Sequence, residues 1–391
     1  MKDFIFHAPT KIIFGRESHL KTGEIIKGYG YKKVMLHYGQ GSVKNNGLYD
    51  QVIRQLEACG IDHVPLGGVE PNPKLSFVKK GVEICRKENC DMILALGGGS
   101  VIDSAKAIAV SVPSGRDPWD FSSKKALPES SLPLGVILTL SASGSEMSAS
   151  AVITNEEGLL KRGYNSEFNR PLFSVLNPEL TYSVNKYHTG CGVVDIMMHT
   201  LERYFCDPEK ADITDQMAEG LLKSVIEAGR IAINKPDDYE ARANLMWAGS
   251  LSHNDLMGLG REVFMSVHQM EHELSGMYDF VPHGAGLSVL FTAWLKFMYK
   301  HNLDRFCQYA VRVWGVPYDE RDQEKTALAG IKATEDYFTE IGMPTRLSAF
   351  DIQDIRIEEM AEKCTFWGSR TLPGYVDLGK KEIMEIFNLA R

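Results

Sequence analysis

Five residues in the second half of the chain combine metal-binding side chains with helical spacing. Asp195 and His199 stand four residues apart, His268 and His272 repeat that interval, and His283 follows them. Side chains four apart on a helix lie on one face, so each pair can point at one place. A carboxylate and imidazoles that converge from separate helices suit a borderline divalent ion such as Fe²⁺ or Zn²⁺. One such pair alone is more typical of a solvated face or of a hydrogen bond within a helix, but the whole set favours a metal site.

A second candidate site lies in the first half, where glycines interrupt an apolar run. Gly97–Ser100 follows the strand-like residues 91–96 and precedes a helical pattern over residues 101–112. Glycines let the backbone approach an anion, and a helix N-terminus adds partial positive charge, so the pattern favours a pyrophosphate site. The alternative is a tight turn in which Ser100 caps the helix with Asp103 as its partner, and both can hold. The stretch is neither a Rossmann GxGxxG nor a P-loop.

The loop Gly39–Ser42 bears on the choice of cofactor. In NAD sites a carboxylate after the corresponding strand holds the ribose 2′-hydroxyl. This loop contains no carboxylate, and the nearby Lys44 could meet a 2′-phosphate. The loop therefore indicates NADP(H) over NAD(H), although a plain loop with a solvated lysine explains the same residues equally well.

The surrounding pattern predicts two domains of different type. Strand and helix patterns alternate through the first half, which predicts a parallel sheet covered on both faces. After about residue 187 long helical patterns follow one another. We predict an α/β dinucleotide-binding domain over residues 1–184 and an all-helical metal- and substrate-binding domain over residues 185–391. At the start of the chain, Phe4–Phe6 and Lys11–Phe14 could pair as two short strands.

Composition excludes several classes of protein. A length of 391 residues suits two domains with ample cores, and a net charge of −8 argues against nucleic-acid binding. No apolar run is long enough for a transmembrane helix, and the N-terminus lacks the apolar region of a signal peptide. The seven cysteines form no CxxC motif and are expected to be reduced thiols of a cytoplasmic protein.

Over nearly its whole length the chain resembles the iron-dependent (group III) alcohol dehydrogenases, most closely their butanol dehydrogenase/aldehyde reductase branch. The motifs that carry the resemblance are Pro71-Asn-Pro73, Gly97 through Asp103 with Ala105-Lys106, Thr139 through Glu146, Asn177-Pro178, Asp195 through His199, His268 through His272, and Pro282-His-Gly284. Asn185, where members usually have proline, and the looser Ser141–Gly144 stretch depart from the family pattern.

The resemblance implies a role for each candidate residue. It makes Asp195, His199, His268 and His283 the metal ligands, and it places His272 and Asp103 near the nicotinamide as catalytic residues. It also implies a homodimer, and the N-terminal β segment is a candidate for the contact between its two subunits. The cofactor-binding residues that it implies are Gly39, Gln40, Gly41, Ser42, Gly97, Gly98, Gly99, Ser100, Asp103, Thr139, Ser145 and Lys161.

The reaction implied is reversible hydride transfer between a nicotinamide and a carbonyl carbon, with the metal ion as a Lewis acid. Around the metal stretch the residues are mostly apolar, with Arg261 the nearest base, which favours small, fairly apolar alcohols and aldehydes. The alternatives are a polyol or glycerol dehydrogenase, a dehydroquinate synthase-like lyase on the same scaffold, and a metal-binding or redox-sensing protein without enzymatic activity. NADP(H) is the expected cofactor, with NAD(H) an alternative, and the same ligands accept Fe²⁺ or Zn²⁺.

Overall fold

The chain folds into two compact units in the computed structural model, which describes residues 1–206 and 211–391. One unit is His7–Ser183, and the other combines Met1–Phe6 with Val184–Arg391. The first six residues belong to the helical unit, where the backbone N–H of Lys2 donates to the carbonyl oxygen of Gly260 at 2.8 Å. In the described residues no helix has both the length and the apolar character needed to cross a membrane.

Residues 7–183 contain a parallel sheet, as the alternating strand and helix patterns predict. Strand β4 (Met92–Gly97), in the middle of the sheet, is buried at all six positions, as expected of a strand covered on both faces. The strands are β1 (Lys11–Phe14), β2 (Lys33–Gly39), β3 (Asp62–Val69), β4 (Met92–Gly97), β5 (Leu134–Leu138), β6 (Ser150–Asn155), β7 (Leu160–Asn165) and β8 (Phe173–Leu176). The helices are α1 (Thr22–Gly28), α2 (Ser42–Asn45), α3 (Leu48–Ala58), α4 (Leu75–Lys87), α5 (Gly99–Ser114) and α6 (Pro118–Ser122).

The order of the strands creates a switch point in the middle of the sheet. The order is β1-β8-β5-β4-β2-β3, and every pair in it is parallel. The chain moves from β2 outward to β3 and then returns to place β4 on the other side of β2. Ligands of such open sheets bind beyond the carboxyl ends of the strands at this reversal. Gly39 and Gly97 end the two strands that flank it.

Two local predictions for this unit are wrong. Residues 4–6 form no strand, and β1 pairs with β8 in register Lys11↔Phe173 because the edge of the parallel sheet offers a partner. Ser100 does not cap α5, since the helix begins two residues earlier than expected, at Gly99, with Gly98 in the N-cap position. The antiparallel hairpin β6–β7 was not predicted. Its turn contains two left-handed residues, Gly158 and Leu159, with φ of 82° and 52°.

The described part of the second unit is helical, as predicted. Its core joins three of these helices through apolar side chains such as Met197, Met270 and Leu287. The helices are α7 (Lys186–Tyr204), α8 (Asp212–Asn234), α9 (Tyr239–Ser252), α10 (Ser266–Met277), α11 (His283–Met298), α12 (Leu303–Trp314), α13 (Gln323–Glu340), α14 (Ile357–Cys364) and α15 (Lys380–Leu389).

Candidate active site

Helix α7 brings Asp195 and His199 into the interior of the helical unit. The helix is buried from Thr189 to Tyr204, and Asp195 and His199 are 4% and 3% exposed. Nδ1 of His199 lies 2.9 Å from the backbone oxygen of Asp195 and 3.1 Å from its Oδ1. The pair is therefore not a solvated helix face, which was the alternative interpretation of its spacing.

Helices α10 and α11 bring two more imidazoles to the same carboxylate. Nε2 of His268 lies 3.6 Å from Oδ1 of Asp195, and Nε2 of His283, the first residue of α11, lies 3.8 Å from that oxygen. One ligand atom from each of Asp195, His199 and His268 lies within 4.8 Å of the other two. The close approach of α11 depends on Gly284, because a Cβ there would lie 2.2 Å from the backbone oxygen of Cys191 in α7.

The environment of these side chains fits a metal ion. Among the described residues, Oδ1 of Asp195 and Nε2 of His268 are buried without a hydrogen-bond partner, and leaving such atoms unsatisfied is costly. Burial opposes the charge on Asp195, but the facing imidazoles of His199, His268 and His283 hold the pKa of its carboxyl well below the usual range. Burial and the neighbouring His268 lower the pKa of His199 to about 4. An ionised carboxylate beside a neutral imidazole is the donor set that a divalent ion requires.

Two glutamates that sequence reasoning missed lie on the Nδ1 side of two imidazoles, whose Nε2 atoms face Asp195. Nδ1 of His268 is hydrogen-bonded to Oε2 of Glu202, and Nδ1 of His283 to Oε2 of Glu271. Burial lowers the pKa of His268, but Glu202 and Asp195 outweigh it and raise that pKa to about 9. Each glutamate stands three residues after a histidine of the set, a signal that is visible in the sequence but does not reveal the partner.

Two further imidazoles border the site. His272 lies one helical turn after His268, with its ring 5.7 Å from that of His283. One ligand atom from each of Glu271, His272 and His283 lies within 4.8 Å of the others, which makes these residues a second group that could hold a metal ion. His253, which sequence reasoning missed, stacks on His199 at 4.0 Å between ring centroids.

In the α/β unit the predicted cofactor residues gather at the carboxyl ends of three adjacent strands. Gly39 ends β2, Gly97 ends β4, and Thr139 follows β5 and donates its N–H to the Gly97 oxygen at 3.1 Å. The glycines after β4 are needed for close packing. A Cβ at Gly97 would lie 2.6 Å from Cγ2 of Val101, and one at Gly99 would lie 2.5 Å from Oγ of Ser143. The 16-residue helix α5 begins here with no side-chain cap on its N-terminus, an arrangement that can bind a pyrophosphate.

Asp103 in α5 and Ser145, in the loop after β5, belong to a largely buried polar cluster. Asp103 accepts hydrogen bonds from Ser145 Oγ at 2.5 Å and from the Val152 N–H at 3.1 Å. Burial raises the pKa of Asp103, against the opposing charges of Lys106 and Lys161. Lys106, fully buried, donates to Ser145 Oγ at 2.9 Å and to the Ser148 and Ser150 carbonyl oxygens, so it fixes the loop after β5. Burial lowers the pKa of Lys106 to about 8.

The other cofactor candidates lie at the surface or on the hairpin. Gln40 and Ser42 are exposed, and Ser42 begins the short helix α2 after Gly41. Nζ of Lys44 lies over the rings of Tyr38 and Tyr49, 5.1 Å and 4.9 Å from their centroids. Lys161 is buried on β7, opposite Thr154.

Comparison with known proteins decides the family. The profile of the iron-containing alcohol dehydrogenase family matches residues 9–178, and the profile of its C-terminal region matches residues 189–390. The chain belongs to the iron-containing alcohol dehydrogenases. This alcohol dehydrogenase is 42% identical to the NADH-dependent butanol dehydrogenase A of Clostridium acetobutylicum over 388 residues, with 99% of each chain covered. It is 34% identical to the NADPH-dependent aldehyde reductase YqhD of Escherichia coli over 395 residues, with 100% of each chain covered.

A solved structure agrees in fold across the chain. The crystal structure of the NADH-dependent butanol dehydrogenase A of Thermotoga maritima matches with a TM-score of 0.96 at 38% identity, covering 100% of this chain and 99% of that one. The family and the fold class inferred from the sequence are therefore confirmed.

Proposed function

We propose that this alcohol dehydrogenase reduces small, fairly apolar aldehydes and oxidises the corresponding primary alcohols, with Asp195, His199, His268 and His283 as ligands of an Fe²⁺ or Zn²⁺ ion. The proposal rests on Oδ1 of Asp195, which is buried without a hydrogen bond and lies 3.1, 3.6 and 3.8 Å from imidazole nitrogens of the three histidines. The relatives named butanol dehydrogenase and aldehyde reductase support the substrate class. A metal ion held by these residues would supply Lewis-acid chemistry, and a bound nicotinamide would supply or accept the hydride.

The residues of the chain perform the remaining tasks. Asp195 would contribute one negative charge and the three imidazoles none, so a divalent ion held there would keep net positive charge to stabilise the oxygen as it becomes negative. The glycine loop Gly97–Ser100 and the N-terminus of α5 bind the pyrophosphate. We assign His272 the exchange of a proton with the alcohol oxygen, because it stands one turn from His268 and beside His283.

The charge around the helical site favours a small neutral substrate over a phosphorylated sugar acid, the substrate class of the lyase alternative. Arg261, the base that the sequence places nearest, is buried and paired with Asp215 at 2.7 Å. Arg203 is also buried and donates to the backbone oxygen of His199 at 2.7 Å. Both guanidinium groups are therefore engaged by acceptors of the chain.

For the cofactor we propose that NADPH is preferred and NADH accepted. The exposed loop Gly39–Ser42 presents no carboxylate that would repel a 2′-phosphate, and Lys44 stands on the helix that follows. The butanol dehydrogenase relatives are named as NADH-dependent and the aldehyde reductase as NADPH-dependent, so both nicotinamides have precedent among similar chains.

For the assembly we propose a homodimer whose subunit interface includes the N-terminal segment. Phe4, Ile5 and Phe6 are 51%, 95% and 43% exposed, and three consecutive exposed apolar side chains are typical of an interaction surface. Ile5→Asp should shift the sedimentation coefficient from that of a dimer to that of a monomer. A monomeric unmodified protein would contradict the proposal.

The function is tested by removing the metal with a chelator and adding Fe²⁺ or Zn²⁺ back under anaerobic conditions. Butanal-dependent oxidation of NADPH and NADH is then followed by absorbance. Turnover should return only with metal and should run faster on NADPH. Full turnover without metal would contradict the metal proposal, and the absence of turnover in metal-loaded protein would favour the lyase or the non-enzymatic alternative.

A further inference from the structure

Each imidazole of the proposed metal site is held through Nδ1 by an acceptor of the chain. The acceptor for His199 is the backbone oxygen of Asp195, in the same helix. The acceptors for His268 and His283 are the side chains of Glu202 and Glu271. With Nδ1 bound in this way, Nε2 of His268 and of His283 is the atom that faces Asp195, at 3.6 Å and 3.8 Å.

We propose that Glu202 and Glu271 are positioning residues that orient His268 and His283 and increase the affinity of the site for its metal ion. The inference rests on the proposed function, because it presupposes that these histidines bind metal. A carboxylate that accepts the Nδ1 proton fixes the tautomer in which Nε2 carries the free electron pair, restricts rotation of the ring, and makes Nε2 a stronger donor.

Glu202 couples α7, which carries Asp195 and His199, to α10. Its carboxylate accepts the backbone N–H of Val267 at 2.6 Å and that of His268 at 3.1 Å, in addition to the imidazole bond. Helix α10 starts after Met265, whose φ is 52° and whose side chain makes no capping hydrogen bond. A glutamate of one helix therefore caps the N-terminus of another, and the negative charge is well placed there.

Glu271 couples α10 to α11. It is fully buried, and its partner His283 is the first residue of α11. Gly286 provides the space for its carboxylate, since a Cβ there would lie 2.9 Å from Oε1 and 3.0 Å from Cγ of Glu271. The three helices that carry the ligands are thus joined in series by two carboxylate–imidazole bonds.

The test compares Glu202→Gln and Glu271→Gln with the unmodified protein in their affinity for Zn²⁺. The apparent dissociation constant is measured by competition with a chromophoric chelator, and the absorption spectrum of Co²⁺-loaded protein reports the ligand geometry. Each variant should bind Zn²⁺ about 10- to 100-fold more weakly. Glu202→Gln should lose more, because its carboxylate also holds two backbone N–H groups. Glu219→Gln, a buried carboxylate change in the same unit outside the metal cluster, is the matched control and should keep the original affinity.

A further substitution separates positioning from general damage to the fold. Gly286→Ala should weaken Zn²⁺ binding in the unmodified protein by displacing the Glu271 carboxylate. In a Glu271→Ala background the same change should cause no further loss, because the space is then empty. Additive losses would overturn the role of Glu271.

The outcomes distinguish this inference from the function on which it rests. If the unmodified protein binds no Zn²⁺ or Fe²⁺, the proposed function fails. If it binds metal and both Gln variants keep that affinity within about twofold, the inference alone fails. If Glu271→Gln abolishes binding as completely as Asp195→Ala, Glu271 is itself a ligand and the positioning role is overturned.

Discussion

The two units build their candidate sites from different parts of the chain. In the helical unit the chemistry lies in charged and polar side chains that face one another across α7, α10 and α11, most of them buried and His283 partly exposed. In the α/β unit it lies in the backbone, where glycines after β4 permit close packing and α5 presents an uncapped N-terminus. Residue types and spacing therefore reveal the first kind of site, whereas the second kind is recognised by its place at the end of a strand.

The histidines of the two units differ in the groups that face them. His199, His268 and His283 surround an ionised carboxylate, while His37 in β2 is fully buried and bonded through Nε2 to Ser104 Oγ at 2.9 Å. Burial alone therefore does not identify a ligand, and the facing groups decide the role.

The largest effect is expected from removing the shared carboxylate. Asp195→Ala should lose bound metal and lower kcat/KM by about a thousandfold, because Lewis-acid stabilisation worth several kcal/mol disappears. Metal content is measured by atomic emission beside the aldehyde assay. Asp212→Ala, an exposed change at the start of α8, is the control. Normal metal content with full activity would refute the ligand assignment.

A large effect on stability is expected from His37. Burial lowers the pKa of His37 to about 4 from its ordinary 6.5. Between these values the unfolded chain binds a proton that the folded chain does not, so stability falls as the pH falls. Between pH 7 and pH 4, His37→Gln should lose about 3 kcal/mol less free energy of unfolding than the unmodified protein.

Urea denaturation at the two pH values measures this difference. His63→Gln makes the same change on the neighbouring strand β3 and is the matched control. Equal acid sensitivity of His37→Gln and the unmodified protein would mean that His37 is not held neutral by its burial.

A smaller effect is expected from the glycine loop. The added Cβ of Gly97→Ala would overlap Val101 at the start of α5, and such overpacking costs about 2 kcal/mol. If the loop shifts to relieve the overlap, the same free energy corresponds to about 30-fold weaker cofactor binding. Nicotinamide fluorescence measures the affinity, while metal content should stay unchanged. Gly28→Ala in α1, where a Cβ meets nothing within 4 Å, is the control. Unchanged cofactor binding by Gly97→Ala would argue against this loop as the pyrophosphate site.

The smallest effect is expected from Lys44. An exposed lysine that meets a 2′-phosphate is screened by solvent, so Lys44→Ala should raise KM for NADPH only about fivefold and leave KM for NADH unchanged. Lys32→Ala, an exposed lysine at the opposite end of β2, is the matched control. Equal changes in KM for NADPH and NADH would show that Lys44 does not contact the 2′-phosphate.

The sequence predicts the fold class and one cluster of side chains, but it does not predict the contacts between separate elements. The apolar run of β4 and the periodic helices of the second half predict the fold class, and Asp195 with its histidines predicts one cluster. Glu202 and Glu271 escape prediction because their partners are on other helices, so the spacing to the preceding histidine carries no information about the bond. The packing role of Gly97 and Gly99 likewise depends on Val101 and Ser143, whose positions only the folded chain defines.

The proposed preference for NADPH rests on the loop that follows β2. Gln40 and Ser42 are exposed, and Lys44 contacts two tyrosine rings, an arrangement compatible with either nicotinamide. Lys44→Ala therefore tests which nicotinamide this loop favours.

The most direct test of the central claim is anomalous diffraction from crystals of the metal-loaded protein. One strong peak should lie about 2.0–2.2 Å from an Asp195 oxygen and from Nε2 of His199, His268 and His283. Glu202 and Glu271 should remain on the Nδ1 atoms behind them. A peak bound instead by Glu271 and His272, or no peak near Asp195, would contradict the assignment.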